Sequence, residues 1–247
     1  MDSGYYAAFT GLTARMQALD TAAANLSNAQ TPGYRAERDY FRSVIFQQGG
    51  EESQVGRGVT RFGLLGGDRL SMSQGPLQQT GNPLDLAIEG DGFFAIQTTN
   101  GLRFTRDGSF HRSRTGMLVT AANEPVLSSS KQVIPVPPGE VSVGSDGVLS
   151  VDGAAATTVG IFKFADGTPL EAEGANRYIS TVDSPPQSST NALIHQGSIE
   201  GANEDVTQAS LDLLMMQRQA EMMQKALTVF HTEFNKVASE DLPRIQG

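Results

Sequence analysis

The sequence predicts an α+β protein, with long N- and C-terminal helices packed as a coiled-coil-like pair plus a central antiparallel β-rich domain. Two apolar stripes carry the helices. Tyr5, Phe9, Leu12, Met16, Leu19, Ala23 and Leu26 recur at alternating spacings of four and three, the period of a coiled-coil seam. Val206, Ala209, Leu213, Met216, Ala220, Met223, Leu227, Phe230, Phe234 and Val237 repeat that period at the other end. The sheet rests on turn chemistry: five Asp-Gly pairs and one Asn-Gly punctuate short apolar runs between the stripes.

Taken in order, the first helix starts at a Ser3 cap and ends at Thr31-Pro32-Gly33, because proline restricts its predecessor and glycine turns freely. Ala7, Ala8, Ala14, Ala18, Ala22 and Ala24 thin this helix, which serves either propensity alone or close approach by another helix. Tyr34 to Phe46 is mixed and reads as helix or strand. Residues 36–81 form a Gly- and Gln-rich connector with a candidate strand at Val59 to Leu65. Its glycines build no phosphate loop, since no Gly-Lys-Ser/Thr follows them. Residues 82–193 are the β-rich outer domain, with strands expected at Leu84 to Glu89, Phe93 to Gln97, Met117 to Thr120, Val141 to Val143, Val148 to Val151 and Val159 to Phe164. Ser184 to Ser189 reads as an exit linker. Residues 194–247 then pair with residues 1–35.

The second helix is the longest uninterrupted signal. No glycine or proline falls between Ala202 and Pro243, Asn203 is a good N-cap, and at 1.5 Å per residue the rod spans roughly 55 Å. Leu211, Leu214, Met215 and Met222 lie off the seam as a second apolar patch. That patch packs either on the chain's own β-rich body or on neighbouring copies in an assembly.

Composition excludes several classes. The net charge of −9 argues against nucleic acid and anionic membrane, and residues 49–202 hold ten basic against sixteen acidic side chains. With no cysteine there is neither a disulfide framework nor a thiolate metal site. The N-terminus lacks the pattern of a cleaved signal peptide, and no apolar run reaches membrane-spanning length. His111, His195 and His231 stand apart from one another and from any nucleophile or metal motif, and the Asp-Gly pairs match turns better than a calcium loop. We therefore expect no catalytic, metal or cofactor-binding residue and no small-molecule substrate.

Three blocks carry a resemblance. Ala24-Asn25-Leu26-Ser27-Asn28-Ala29-Gln30-Thr31-Pro32-Gly33-Tyr34-Arg35 resembles the N-terminal motif of bacterial flagellar rod and hook proteins, with Asn25, Leu26, Asn28, Thr31, Pro32, Gly33 and Tyr34 as its family positions. Asp85 to Phe94, Phe104 to Phe110 and Gly116 to Thr120 are similar to that family's central block, and Gln196 to Asn203 to its C-terminal block. Length and the region Arg218 to Lys225 are most similar to the proximal rod branch, with the distal rod branch as the near alternative. The resemblance implies a structural subunit of the basal-body rod, exported by the flagellar type III apparatus without signal cleavage. It implies helical assembly through the terminal helices with copies of itself and other axial proteins, forming a drive shaft and the wall of an export channel. A distal rod or hook subunit, or a rod-associated peptidoglycan hydrolase, are the alternative readings.

Overall fold

The computed structural model describes residues 2–45, 61–165, 167–174, 176–180, 184–189 and 191–241, with side chains described outside 2–8, 39–45, 61–68, 230 and 233–241. In chain order the elements are α1 (Asp2–Asn28), β1 (Glu37–Ile45), β2 (Arg61–Leu70), β3 (Leu77–Gln79), β4 (Leu86–Glu89), β5 (Phe93–Thr98), β6 (Gly101–Thr105), β7 (His111–Arg112), β8 (Leu118–Val119) and β9 (Val141–Val143). There follow β10 (Val148–Val151), β11 (Ala154–Thr158), β12 (Ile161–Lys163), β13 (Leu170–Ala172), β14 (Arg177–Ser180), β15 (Gln187–Ser188), β16 (Leu193–Gln196), β17 (Ser198–Glu200) and α2 (Val206–Asp241). The chain divides into a unit of residues 1–26, 38–68 and 207–247, and a unit of residues 27–37 and 69–206.

The first unit holds the helices and the β1–β2 ribbon. The expected coiled-coil-like pairing is not what forms. Two helices flank a large β-rich region in sequence, but the heptad positions Phe9 and Met16 on α1 and Val206 on α2 are exposed. Among the described residues the buried apolar side chains of α1 are instead Ala14, Ala18 and Ala22, with Asn25 buried beyond them. The alanines' constant spacing of four advances about 40° round the helix per step, so it cannot continue the straight seam that alternating threes and fours would make. Gly11 lies against Met223, and Arg15 donates to Gln219 at 2.5 Å. Burial is most complete at the small side chains, while Leu12, Leu19 and Leu26 are half-buried and Phe9 and Met16 are exposed.

The β-rich unit is built around β5, which alternates inward on both of its faces. Phe94 and Ile96 join a core with Leu86, Ile88, Phe110, Leu118, Ile134, Leu149 and Ile194. Phe93 and Ala95 join a second core with Phe104, Leu127, Phe162, Leu170 and Tyr178. A strand apolar at consecutive positions must be covered on both sides, and β5 is central in a six-stranded sheet of order β13-β14-β6-β5-β12-β15. Edge-to-face ring pairs fill both cores, Phe94–Phe110 at 5.0 Å and Phe104–Phe164 at 4.8 Å. The proline-rich exit segment contributes β15, which pairs with β12 at the sheet's edge.

A three-stranded sheet of order β11-β10-β9 is closed by true hairpin turns. Asp152 and Gly153 have φ of 51° and 80°, the left-handed pair that a two-residue turn between β10 and β11 requires. Other Asp-Gly pairs serve differently: Asp91-Gly92 joins strands of separate sheets, and Asp107-Gly108 precedes a bridge between Ser109 and Asp85.

Candidate assembly site

Two features stand out: a buried charge cluster that holds the N-terminal motif, and an apolar face of α2 that is exposed among the described residues.

The motif segment after α1 is strapped into the β-rich unit. Thr31 N donates to Asn28 O at 2.9 Å and closes the helix end. Gly33 has φ 68°, and a Cβ there would overlap the Asp107 amide and the Arg106 carbonyl, so only glycine lets the strap lie flat. Its N–H donates to Glu200 O at 2.8 Å. Asn176 Nδ2 donates to Pro32 O at 2.8 Å, and Arg35 N donates to the Tyr178 hydroxyl at 3.1 Å. Asn203 takes the next residues: its Oδ1 accepts from Ala36 N at 2.7 Å, and its Nδ2 donates to Ser71 O and Ser73 O, each at 2.9 Å. This explains why Asn203 is no helix cap. Its side chain is committed to the strap, and α2 begins after Asp205.

Beneath the strap, Arg35 and Arg106 share one carboxylate. Arg35 Nη2 meets Glu200 Oε1 at 2.9 Å, Arg106 Nη1 meets Glu200 Oε2 at 3.0 Å, and all three side chains are at most 3% exposed. Glu200 Oε1 also accepts from Gly75 N at 2.9 Å. Backbone carbonyls accept further guanidinium protons, Ser73 O from Arg35, and Ile88 O (3.2 Å) and Gly90 O (2.6 Å) from Arg106, while Nε of each arginine is buried without a hydrogen-bond partner among the described residues. Burial lowers the pKa of both arginines, opposed by the Glu200 charge. Each of the three charged residues comes from a different motif block, so the cluster ties the N-terminal, central and C-terminal blocks together. Sequence reading quoted these blocks without giving Arg35, Arg106 or Glu200 a role. The available signal was a charged residue inside each motif.

Nearby ionisable groups respond to burial in the same way. Tyr34, half-buried, is pushed up to about 12 by burial and by Glu37 and Glu204. Burial also raises the Asp107 carboxyl, against a hydrogen bond from Ser109 N at 3.0 Å. A carboxyl raised in the folded state favours folding more as pH falls, because the folded chain then binds its proton better. Asp107→Asn, which keeps the acceptor and removes the charge, is therefore expected to raise the thermal midpoint at neutral pH. That gain should shrink as pH approaches the ordinary carboxylate range. Calorimetry across pH measures it, and a gain that grows on acidification would contradict the assignment.

Of the remaining sequence-identified positions, Asn25 is buried and Leu26, Leu12 and Leu19 are half-buried, while Ala23 is exposed. On α2, Ala220 is buried and Leu213, Met216, Met223 and Leu227 are half-buried, all on one side of the helix. The side chains of Tyr5, Phe230, Phe234 and Val237 lie outside the described residues. Leu211, Leu214, Met215 and Met222 are exposed, between 47% and 63%, and Val229 joins them at 61%. At about 100° per residue these five form one stripe on the face opposite the half-buried side. Among the described residues no cluster of metal-ligand type occurs, and no helix is long and apolar enough to cross a membrane.

Residues 6–35 match the family described as flagella basal body rod protein, and residues 87–151 match the D1 domain of the flagellar hook protein FlgE/F/G family. The chain is 33% identical over 247 residues to the flagellar basal-body rod protein FlgF of Caulobacter vibrioides, covering 99% of this chain and all of that one. It is 30% identical to the rod protein FlgG of Bacillus subtilis (90% and 93% covered) and 29% identical to FlgF of Escherichia coli (92% and 94% covered). These matches lend the hydrolase alternative no support. The chain belongs to the flagellar basal-body rod protein family, structural components of the bacterial flagellum's basal body and not enzymes.

Proposed function

We propose that this rod subunit is held in the axial structure through the exposed stripe of α2, packed against copies of itself and other rod and hook axial proteins. The one observation that supports this reading is the two-sided helix. Leu213, Met216, Ala220, Met223 and Leu227 on one side are buried or half-buried, while Leu211, Leu214, Met215, Met222 and Val229 on the other face solvent together. A continuous apolar face left open on a subunit is suited to burial against another subunit. Contacts that are individually small become strong when repeated through a lattice. In this reading the subunit passes unprocessed through the flagellar type III export apparatus, and the terminal helices contribute to the wall of a central channel with the β-rich domain outermost.

The experiment is Met215→Asp in the full chain, returned to a non-motile deletion strain. Because Met215 is exposed, the variant should fold with an unchanged thermal midpoint yet give little or no swimming halo and few complete rods in isolated basal bodies. A normal halo from that variant removes the stripe from assembly.

A further inference from the structure

The chain has no cysteine and no tryptophan, so its readily oxidised side chains are the thioethers of eight methionines. They are unevenly placed. Four of them, Met215, Met216, Met222 and Met223, fall close together on α2. They make two pairs whose members lie seven residues apart, and seven steps of about 100° return to within roughly 20° of the start. Met215 and Met222 therefore stand one above the other, as do Met216 and Met223 about 100° further round.

The two pairs differ in cover. Met215 is 56% and Met222 63% exposed, more than any other methionine among the described residues, and both belong to the open stripe with Leu211, Leu214 and Val229. Met216 and Met223 are half-buried, and the Met223 methyl lies over Gly11 of α1, 3.6 Å from where a Cβ would stand. One helix thus holds the same thioether in an open and a covered setting. Arg218, also exposed, comes three residues after Met215 and four before Met222, positions that share a side of the helix. A thioether is a weak acceptor for that guanidinium, whereas the polar oxygen of a sulfoxide accepts readily.

We propose that Met215 and Met222 form an oxidation switch on the assembly face: in the free subunit peroxide converts them to sulfoxides, and a subunit so modified is not taken into the rod until it is reduced. The sulfur lone pair attacks one oxygen of hydrogen peroxide, an S–O bond forms as the O–O bond breaks, and the departing hydroxide takes the proton of the transferred hydroxyl and leaves as water. Sulfur loses two electrons and the peroxide gains them. A methionine sulfoxide reductase reverses the step with two electrons and two protons from a dithiol, releasing the oxygen as water. Two sulfoxides turn the middle of the apolar stripe polar, and covering it then strips Arg218 or water from each oxygen. A covered stripe is itself shielded from oxidant, so the switch acts on subunits awaiting assembly. It rests on the reading of the stripe as the assembly face and adds the control of that face.

The test begins with the purified full chain in limiting hydrogen peroxide. Peptide mass spectrometry should find Met215 and Met222 gaining oxygen several-fold faster than Met216 and Met223, and equal rates overturn the proposal. In the deletion strain, Met215→Gln combined with Met222→Gln places a polar amide where each sulfoxide would stand. That chain should shrink the swimming halo at least several-fold with its thermal midpoint unchanged, and a normal halo overturns the switch. A third arm holds assembly back by depleting another axial protein, pulses the cells with hydrogen peroxide and then restores that protein, each strain being scored against its own unpulsed culture. The native chain should lose new rods several-fold, while Met215→Leu combined with Met222→Leu, apolar but without sulfur, should retain its own level. Equal outcomes in the two strains overturn the switch. Met215→Asp separates this failure from that of the assembly reading: if it abolishes swimming while the glutamine pair swims normally, the switch falls and the stripe stands, and if Met215→Asp swims normally the stripe itself falls.

Discussion

Glu200→Gln is expected to remove about 3–5 kcal/mol from the stability of the β-rich unit, enough to exhaust much of a typical domain's margin of roughly 5–15 kcal/mol. The amide keeps the shape and can still accept from Gly75 N, but it leaves two buried guanidinium groups with no counter-charge. Arg35→Met tells the same story in reverse. It leaves Arg106 and Glu200 as a balanced pair, and Ser73 O retains its Asn203 donor, so it should destabilise clearly less than Glu200→Gln. Urea unfolding of the purified chain measures both. If Arg35→Met proves equally or more damaging, packing and not charge balance governs the cluster.

Gly33→Ala is the second large effect, expected at about 3 kcal/mol or more, because positive φ strain of roughly 1–3 kcal/mol adds to a backbone collision. The new methyl would displace the strap from Asp107 and loosen the bonds to Glu200 O, Tyr178 and Asn176. Gly81 supplies the control. Its φ of 77° is similar, but a methyl there meets nothing within 4 Å, so Gly81→Ala should show the conformational strain alone. Matching unfolding midpoints for the two variants would mean that the strap does not press on the Arg106–Asp107 backbone.

These residues also mark what the sequence made legible. The apolar run of β5 was readable as a strand, and the helix-forming stretches at either end were readable from propensity and period. Which face of each helix would be covered was not readable. Periodicity weights large apolar residues, yet in α1 the apolar positions covered most fully are Ala14, Ala18 and Ala22, whose value is the closeness they permit. Strand β11 was invisible because Ala154 to Thr158 neither alternates nor carries bulk, and its existence follows from the Asp152-Gly153 turn and the partner β10. The charge cluster escaped because its members are brought together by tertiary structure alone. A buried arginine and a solvated one look the same in a sequence.

Strapping residues 27–37 onto the C-terminal block has a kinetic corollary. Ala36 and Asn203 are 167 positions apart, and the bond between them is among the most non-local in the molecule. Loop-closure entropy places such contacts late, so a nascent or partly threaded polypeptide that has not yet delivered Glu200 and Asn203 holds two guanidinium groups that it cannot bury and a sheet it cannot finish. Completion of the β region is thereby deferred until Asn203 of the 247 residues, about four-fifths of the chain, has emerged.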